Sequence, residues 1–143
     1  MAEIMTLGVD LGGSSSKATL LDASGKVLCS TVQEYPSYSP KPGWLEQDAD
    51  ELYEAVLENI RQCVSMSGAD SGDIVAVCID AATHMAVLCD GNDRPLRRFI
   101  HWSDARCGEQ SARIKQQYAD ILKKYTVNSV SPAWTLPQLL WLR

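Results

Sequence analysis

Apolar residues in the first third of the chain fall in short runs separated by turn chemistry. Residues 4–10 are nearly all apolar, the pattern of a strand buried at the centre of a sheet. Two further runs, 17–22 and 27–35, are joined by Ala23-Ser24-Gly25, a tight-turn sequence. Between the first two runs, Gly12-Gly13-Ser14-Ser15-Ser16 is short enough for a hairpin, which predicts a three-stranded antiparallel meander. Pro36, Pro40, Pro42 and Gly43 then exclude helix and central strand alike.

Periodicity changes after Asp48. With Glu51 three residues later, Asp48 resembles a capping-box start, and Leu52, Val56, Ile60, Cys63 and Val64 share one 3.6-residue face. Gly68 and Gly72 end this helix before a second all-apolar strand at 74–79. Shorter strands are predicted at 86–89 and 98–102, separated by the turn Asp90-Gly91-Asn92-Asp93. A helix is predicted over 103–125, with Cys107, Ile114, Tyr118, Ile121, Leu122 and Tyr125 along one stripe. Thr135 and Pro137 open a last helix, with proline tolerated in the first turn. Leu139, Leu140, Trp141 and Leu142 make it apolar on all sides, so it is expected to pack into something larger, as the front portion of a longer protein would.

Composition narrows the class. The 143 residues are 45% hydrophobic and 22% charged, a globular balance of single-domain size. Thirteen basic against 18 acidic residues give a net charge of −5, which argues against nucleic acid or an anionic membrane as partner. No run reaches the roughly 18 apolar residues of a membrane span. An acid at position 3 and Asp10 inside the first apolar run do not suit a signal peptide. Five cysteines (29, 63, 78, 89 and 107), an odd number without a Cys-x-x-Cys pair, suit neither a disulfide framework nor a structural zinc site. A soluble protein of the reducing cytoplasm is expected.

Candidate chemistry centres on Asp10-Leu11-Gly12-Gly13-Ser14-Ser15-Ser16-Lys17. A carboxylate ends a buried strand, two glycines open the backbone, three hydroxyls follow and a lysine starts the next strand. Backbone N–H groups in such a turn can approach phosphate oxygens, and the adjacent aspartate can hold Mg²⁺. A plain glycine hairpin with solubilising serines fits the same spacing, which is neither a Walker A loop nor a Rossmann fingerprint. Elsewhere, His84 fits an ordinary half-buried histidine, the four tryptophans fit core positions, and Asp104 fits a helix-start acid after Ser103.

The loop resembles the first phosphate loop of the FGGY family of carbohydrate kinases, and further segments match that family in order. Pro42-Gly43-Trp44-Leu45-Glu46-Gln47-Asp48 resembles a stretch typical of xylulokinases. Thr83-His84 stands where those enzymes carry a Met-His pair and glycerol kinases an Arg-Glu pair. Ile100-His101-Trp102-Ser103-Asp104-Ala105-Arg106 resembles the family's I-x-W-x-D-x-R, and residues 131–142 its P-x-F-T-x-P-K-L-L-W segment. The resemblance implies an α/β, ribonuclease-H-like lobe of the actin, hexokinase and Hsp70 superfamily, with a mixed sheet, residues 1–143 being an incomplete N-terminal domain. It implies Mg²⁺-dependent transfer of the ATP γ-phosphoryl group to a ketose or polyol, xylulose-like by preference.

On this resemblance Asp10 lies near metal and transferred phosphoryl group, and Gly12, Gly13, Ser14, Ser15, Ser16 and Lys17 wrap the phosphates. Thr83, His84, Trp102 and Asp104 would contact the sugar. The proton-accepting aspartate, the adenine pocket and the second lobe would lie beyond residue 143, leaving the chain inactive alone. Gly13 departs from the family's hydroxyl residue, Thr83 from its methionine, and Asp80 from its small residue. The expected partner is a small-molecule sugar or polyol, with a homodimer as an option for the full-length form. Rival readings are a non-catalytic sugar-binding fragment, a kinase for glycerol, ribulose or erythritol, and a nuclease using Asp10, Asp80 and Asp104 as a metal cluster.

Overall fold

A computed structural model describes residues 4–127 and 129–143. The chain forms two compact units, Met1–Pro36 with Asp50–Ala82, and Ser37–Ala49 with Thr83–Arg143.

In the first unit the predicted meander is present as β1 (Met5–Leu11), β2 (Ser15–Asp22) and β3 (Val27–Glu34), each antiparallel to the next. Helix α1 (Ala49–Ser67) leads through a single 3₁₀ turn to β5 (Ile74–Ala81), which adds parallel to β1 and makes the sheet mixed, in order β3-β2-β1-β5. The core lies between one sheet face and α1, where Met5, Leu7, Val9, Ala18 and Leu20 meet Val56 and Cys63. Each fully buried aliphatic side chain there contributes about 1.5–3 kcal/mol relative to exposure. At the β2–β3 turn Gly25 has φ +84°, and the Asp22 carboxylate accepts from Ser24 N–H, Ser24 Oγ and Lys26 N–H at 2.8, 2.6 and 3.1 Å.

Strand β5 differs from expectation in burial. Its all-apolar run predicts cover on both faces, yet Val75, Val77 and Ile79 are 64%, 57% and 61% exposed. The reason is position: β5 is an edge strand, and the buried core cluster draws on β1, β2 and α1. Register with Leu7 and Val9 places Val77 and Ile79 on the same sheet face as that core, as an open continuation of it.

The second unit is mostly helix and loop. Two short strands, β4 (Glu46–Gln47) and β6 (Phe99–Ile100), pair antiparallel. The strand expected at 86–89 is reduced to one bridge, Cys89 to Pro95, around the predicted turn, where Asp90 Oδ1 accepts the N–H groups of Asn92 and Arg94 at 2.8 and 3.0 Å. The helix expected over 103–125 is broken. Residues before Gly108 form a loop, and α2 (Gly108–Gln117) is separated from α3 (Ala119–Tyr125) by a non-helical Tyr118. Cys107 and Ile114 anchor α2 in the core, whereas Tyr118, Ile121 and Tyr125 are 51%, 57% and 72% exposed, so no core holds the second half in line with the first. Helix α4 (Thr135–Leu142) forms as expected with Pro137 in its first turn. It is not buried all round: Pro137 and Gln138 are covered, Leu136 and Leu139 are not. Among the described residues no helix is long and apolar enough to cross a membrane, and all five cysteines are free thiols.

Candidate functional site

Strand pleating sorts β1 into two faces. Met5, Leu7 and Val9 enter the core, so Thr6, Gly8 and Asp10 face the opposite side of the sheet. There Asp10 stands in one cross-strand row, opposite Lys17 on β2 and opposite Asp80 on β5. The next row holds Gly8 between Thr19 and Cys78. These residues line an open groove of about 300 Å³. Two carboxylates and an ammonium thus share one exposed surface, with Gly8 contributing no side chain to fill it. Asp80, to which the kinase resemblance gives no role, belongs to this row; its Oδ1 accepts the Ala81 N–H at 2.9 Å.

The hairpin beside the row is tightly held. Gly12 N–H donates to Ser15 O at 3.0 Å, and a Cβ on Gly12 would stand only 3.1 Å from that oxygen. Tyr35, 7% exposed, braces the loop from β3: its hydroxyl donates to Gly12 O and to Ser15 O, and its N–H donates to Ser14 O at 3.2 Å. Burial, and secondarily the Asp10 charge, push the Tyr35 phenol above its ordinary range, so it stays a hydrogen-bond donor. Ser14 is exposed and Ser15 half-buried. The expectation for Ser16 is corrected: fully buried, its Oγ accepts from Asn59 Nδ2 at 3.0 Å, so its hydroxyl faces α1 and not a phosphate. Alternation along β2 explains this, since Ser16, Ala18 and Leu20 share the core face. Tyr35 and Asn59 were missed by the sequence reading, although a polar residue on the apolar face of α1 is a visible signal for a buried partner.

In the second unit Thr83 and His84 are exposed, and His84 adopts a left-handed backbone, φ +62°. Its ring lies parallel to Trp134, centroids 5.9 Å apart and planes 10° apart, and its Nδ1 meets Thr135 Oγ1 at 3.2 Å and Thr135 N at 3.4 Å. Trp102 is 48% exposed and leans against the buried ring of His101, whose Nδ1 is bonded to Ser103.

Asp104 is the second correction. Its side chain has no exposure and Arg106 only 1%. The carboxylate accepts from Leu45 N–H, from Arg106 N–H at 2.7 Å, and from Arg106 Nε and Nη2 at 2.9 and 2.7 Å. The other guanidinium nitrogen of Arg106 reaches Glu46 at 2.6 Å, and Arg97 joins Glu46 at 2.7 Å. The Arg106 guanidinium carbon lies 3.7 Å from the Trp44 ring centroid, and Trp141 meets Trp44 edge-on. Burial alone would raise the Asp104 carboxyl, but the Arg106 guanidinium and the two backbone N–H groups outweigh it and hold it below the usual carboxylate range. Burial, with the Asp104 charge second, pushes the neighbouring Cys107 thiol up to about 11. The carboxylate has no lone pair directed at a ligand, so Asp104 acts on the loop and not on a sugar. For the same reason it cannot complete a nuclease-type cluster with Asp10 and Asp80. Among the described residues no group of three or more His, Cys, Asp or Glu side chains is placed to hold a metal ion.

The sequence profile of the FGGY family of carbohydrate kinases, N-terminal domain, matches residues 5–143. The xylulose kinase of Bacillus subtilis strain 168 is 33% identical over 137 residues, covering 96% of this chain and 28% of that protein. The glycerol kinase of Thermococcus onnurineus is 27% identical, covering 95% of this chain and 28% of that protein. Among solved structures, a xyloylose kinase from Brucella ovis superposes with a TM-score of 0.89 at 31% identity, covering 96% of this chain and 29% of its own. A ligand-bound xylulose kinase from Lactobacillus acidophilus superposes with a TM-score of 0.86 at 26% identity, covering 96% of this chain and 28% of its own. The chain therefore spans less than a third of the length of these relatives. With its mixed sheet, its α1 crossover and the Asp10–Lys17 hairpin in place, the chain belongs to the FGGY family of carbohydrate kinases and carries the fold of that family's N-terminal domain.

Proposed function

We propose that the kinase of which this chain forms the N-terminal part transfers the γ-phosphoryl group of ATP to a hydroxyl of a ketose, with xylulose as the preferred acceptor, and works in the cytoplasm. The observation that carries this reading is the row Asp80, Asp10, Lys17 on the open sheet face beside a braced glycine hairpin. Phosphoryl transfer needs positioning and charge neutralisation more than covalent help from the protein. Lys17 supplies a cation for phosphate oxygens. The fixed hairpin carries backbone where a Cβ at Gly12 would crowd it.

The oxygen donors on this face fit a hard divalent cation: Asp10 as holder, with Asp80 and the Thr19 hydroxyl within the same groove, which Cys78 also lines. Bound there, Mg²⁺ would offset the charge of the phosphate oxygens. The second unit would read the sugar, His84 by hydrogen bonding and Trp102 by offering an apolar ring face to C–H groups, with Thr83 beside them. No described residue is assigned the role of proton acceptor, and the chain alone is expected to show no sugar-dependent release of ADP.

A glycerol kinase also matches the chain, at 27% identity against 33% for a xylulose kinase, so glycerol is the competing acceptor. Coupled ADP-release assays of the intact kinase with D-xylulose and with glycerol decide between them. In the same assay Asp10→Asn should lower kcat by about 10²-fold or more, a loss of ~2.7 kcal/mol in transition-state stabilisation, with sugar KM little changed. Near-normal turnover of this variant would return Asp10 to a strand-end acid.

A further inference from the structure

We infer that Thr135 and Trp134, at the start of α4, fix His84 as a pure donor: a neutral imidazole protonated on Nε2 that recognises an acceptor oxygen of the sugar. The inference rests on the reading of His84 as a sugar contact and adds its chemical polarity and the residues that set it. Thr135 is the first helical residue of α4, with Trp134 as its extended N-cap, φ −71° and ψ 148°. The first N–H groups of a helix have no partner within the helix and must find one outside it. The Thr135 N–H finds His84 Nδ1, at 3.4 Å, and the Thr135 hydroxyl stands 3.2 Å from the same nitrogen.

A main-chain N–H can only donate, so the nitrogen it meets must be the bare one. A neutral imidazole has one bare nitrogen and one N–H, so the proton resides on Nε2. The parallel Trp134 ring holds the plane of the imidazole, and the left-handed backbone of His84 persists against its conformational cost because the stack and the hydrogen bonds act together. His84 is itself an exposed residue, and on this reading its Nε2–H is the group that the sugar meets. A sugar oxygen meeting it must accept, as a ketose carbonyl always can and a hydroxyl can by its lone pairs. Trp134 and Thr135 are thus positioning residues.

Nitrogen NMR of the imidazoles at a pH of about 8 tests this on the chain itself, which has only two histidines, His84 and His101. His84 should show a single Nε2–H tautomer. Thr135→Pro removes both the N–H and the hydroxyl at a position where proline fits, since it is the first helical residue and Trp134 already has the backbone that proline requires of its predecessor. The His84 signals should then become those of a tautomer mixture, with His101 unmoved. Thr135→Val, which keeps the N–H, should retain the single tautomer. A wild-type His84 protonated on Nδ1 overturns the inference by itself, whether or not Thr135→Pro folds. So does a folded Thr135→Pro with unchanged His84 signals. Either result leaves the kinase reading standing, whereas an intact kinase that phosphorylates no sugar would remove that reading without touching the tautomer.

Discussion

Replacing Asp104 by alanine should destabilise the second unit and not merely weaken a ligand. The substitution leaves Arg106, 1% exposed, without its two-pronged partner, and strips the Leu45 N–H of its acceptor. Breaking a buried ion pair from one side costs about 3–5 kcal/mol. Glu46 remains on Arg106 at 2.6 Å and shares part of the charge, so the expected loss lies near the lower end, about 3 kcal/mol. Against total stabilities of roughly 5–15 kcal/mol for a domain, this is a large fraction. With a urea dependence of about 1–3 kcal/mol/M, the midpoint should fall by about 1–3 M. Tryptophan fluorescence is the appropriate probe, because Trp44, Trp102, Trp134 and Trp141 all belong to this unit. Arg106→Met added to the same chain should restore part of the loss, giving a coupling of at least about 1 kcal/mol. A variant Asp104→Ala that unfolds within about 1 kcal/mol of the parent would refute the structural role and return Asp104 to the list of ligand contacts.

The acid limb of stability should carry the same signature. The folded Asp104 carboxyl is held below its unfolded value, so its stabilisation is present above about pH 4 and is lost as pH falls through the folded value; the gap between wild type and Asp104→Asn in pH-dependent unfolding should close over that range. Asn59→Leu leaves the buried Ser16 hydroxyl without its donor and should cost about 1–3 kcal/mol by urea denaturation followed by circular dichroism, with Ser16→Ala in the same chain recovering part of it. Tyr35→Phe removes the hydroxyl that holds Gly12 and Ser15, and in the intact kinase should raise the ATP KM several-fold while leaving the sugar KM within about twofold. An unchanged ATP KM would make the brace irrelevant to phosphate binding.

Periodicity and turn chemistry made the meander, α1 and α4 legible, because each is decided locally: alternation sets β1 to β3, and the Asp22–Gly25 turn fixes its own hairpin. What sequence could not show was which face a residue joins once distant segments meet. Ser16 reads as one of three equivalent serines until β2 registers against β1 and Asn59 arrives from α1. Asp104 reads as a helix-start acid, and the predicted helix fails there, because Leu45 and Arg106 claim its carboxylate from a distant segment and from its own loop. Asp80 gained a place only through the parallel register that sets it beside Asp10. Each miss is a long-range pairing overriding a local pattern.

The two units are interleaved along the chain, and this governs the order in which they can be completed. Residues 37–49 belong to the second unit but are synthesised before the helix and strand, 50–82, that finish the first. Glu46 must therefore wait through the whole of α1 and β5 before Ile100 pairs with it and Arg106 neutralises it. No single cut in the polypeptide can release either unit whole. A nick at the Ala82–Thr83 junction would divide residues 37–49 of the second unit from its remainder while leaving the ionic knot of Glu46, Asp104 and Arg106 to hold the pieces. That knot works as a clasp between early and late segments of the chain.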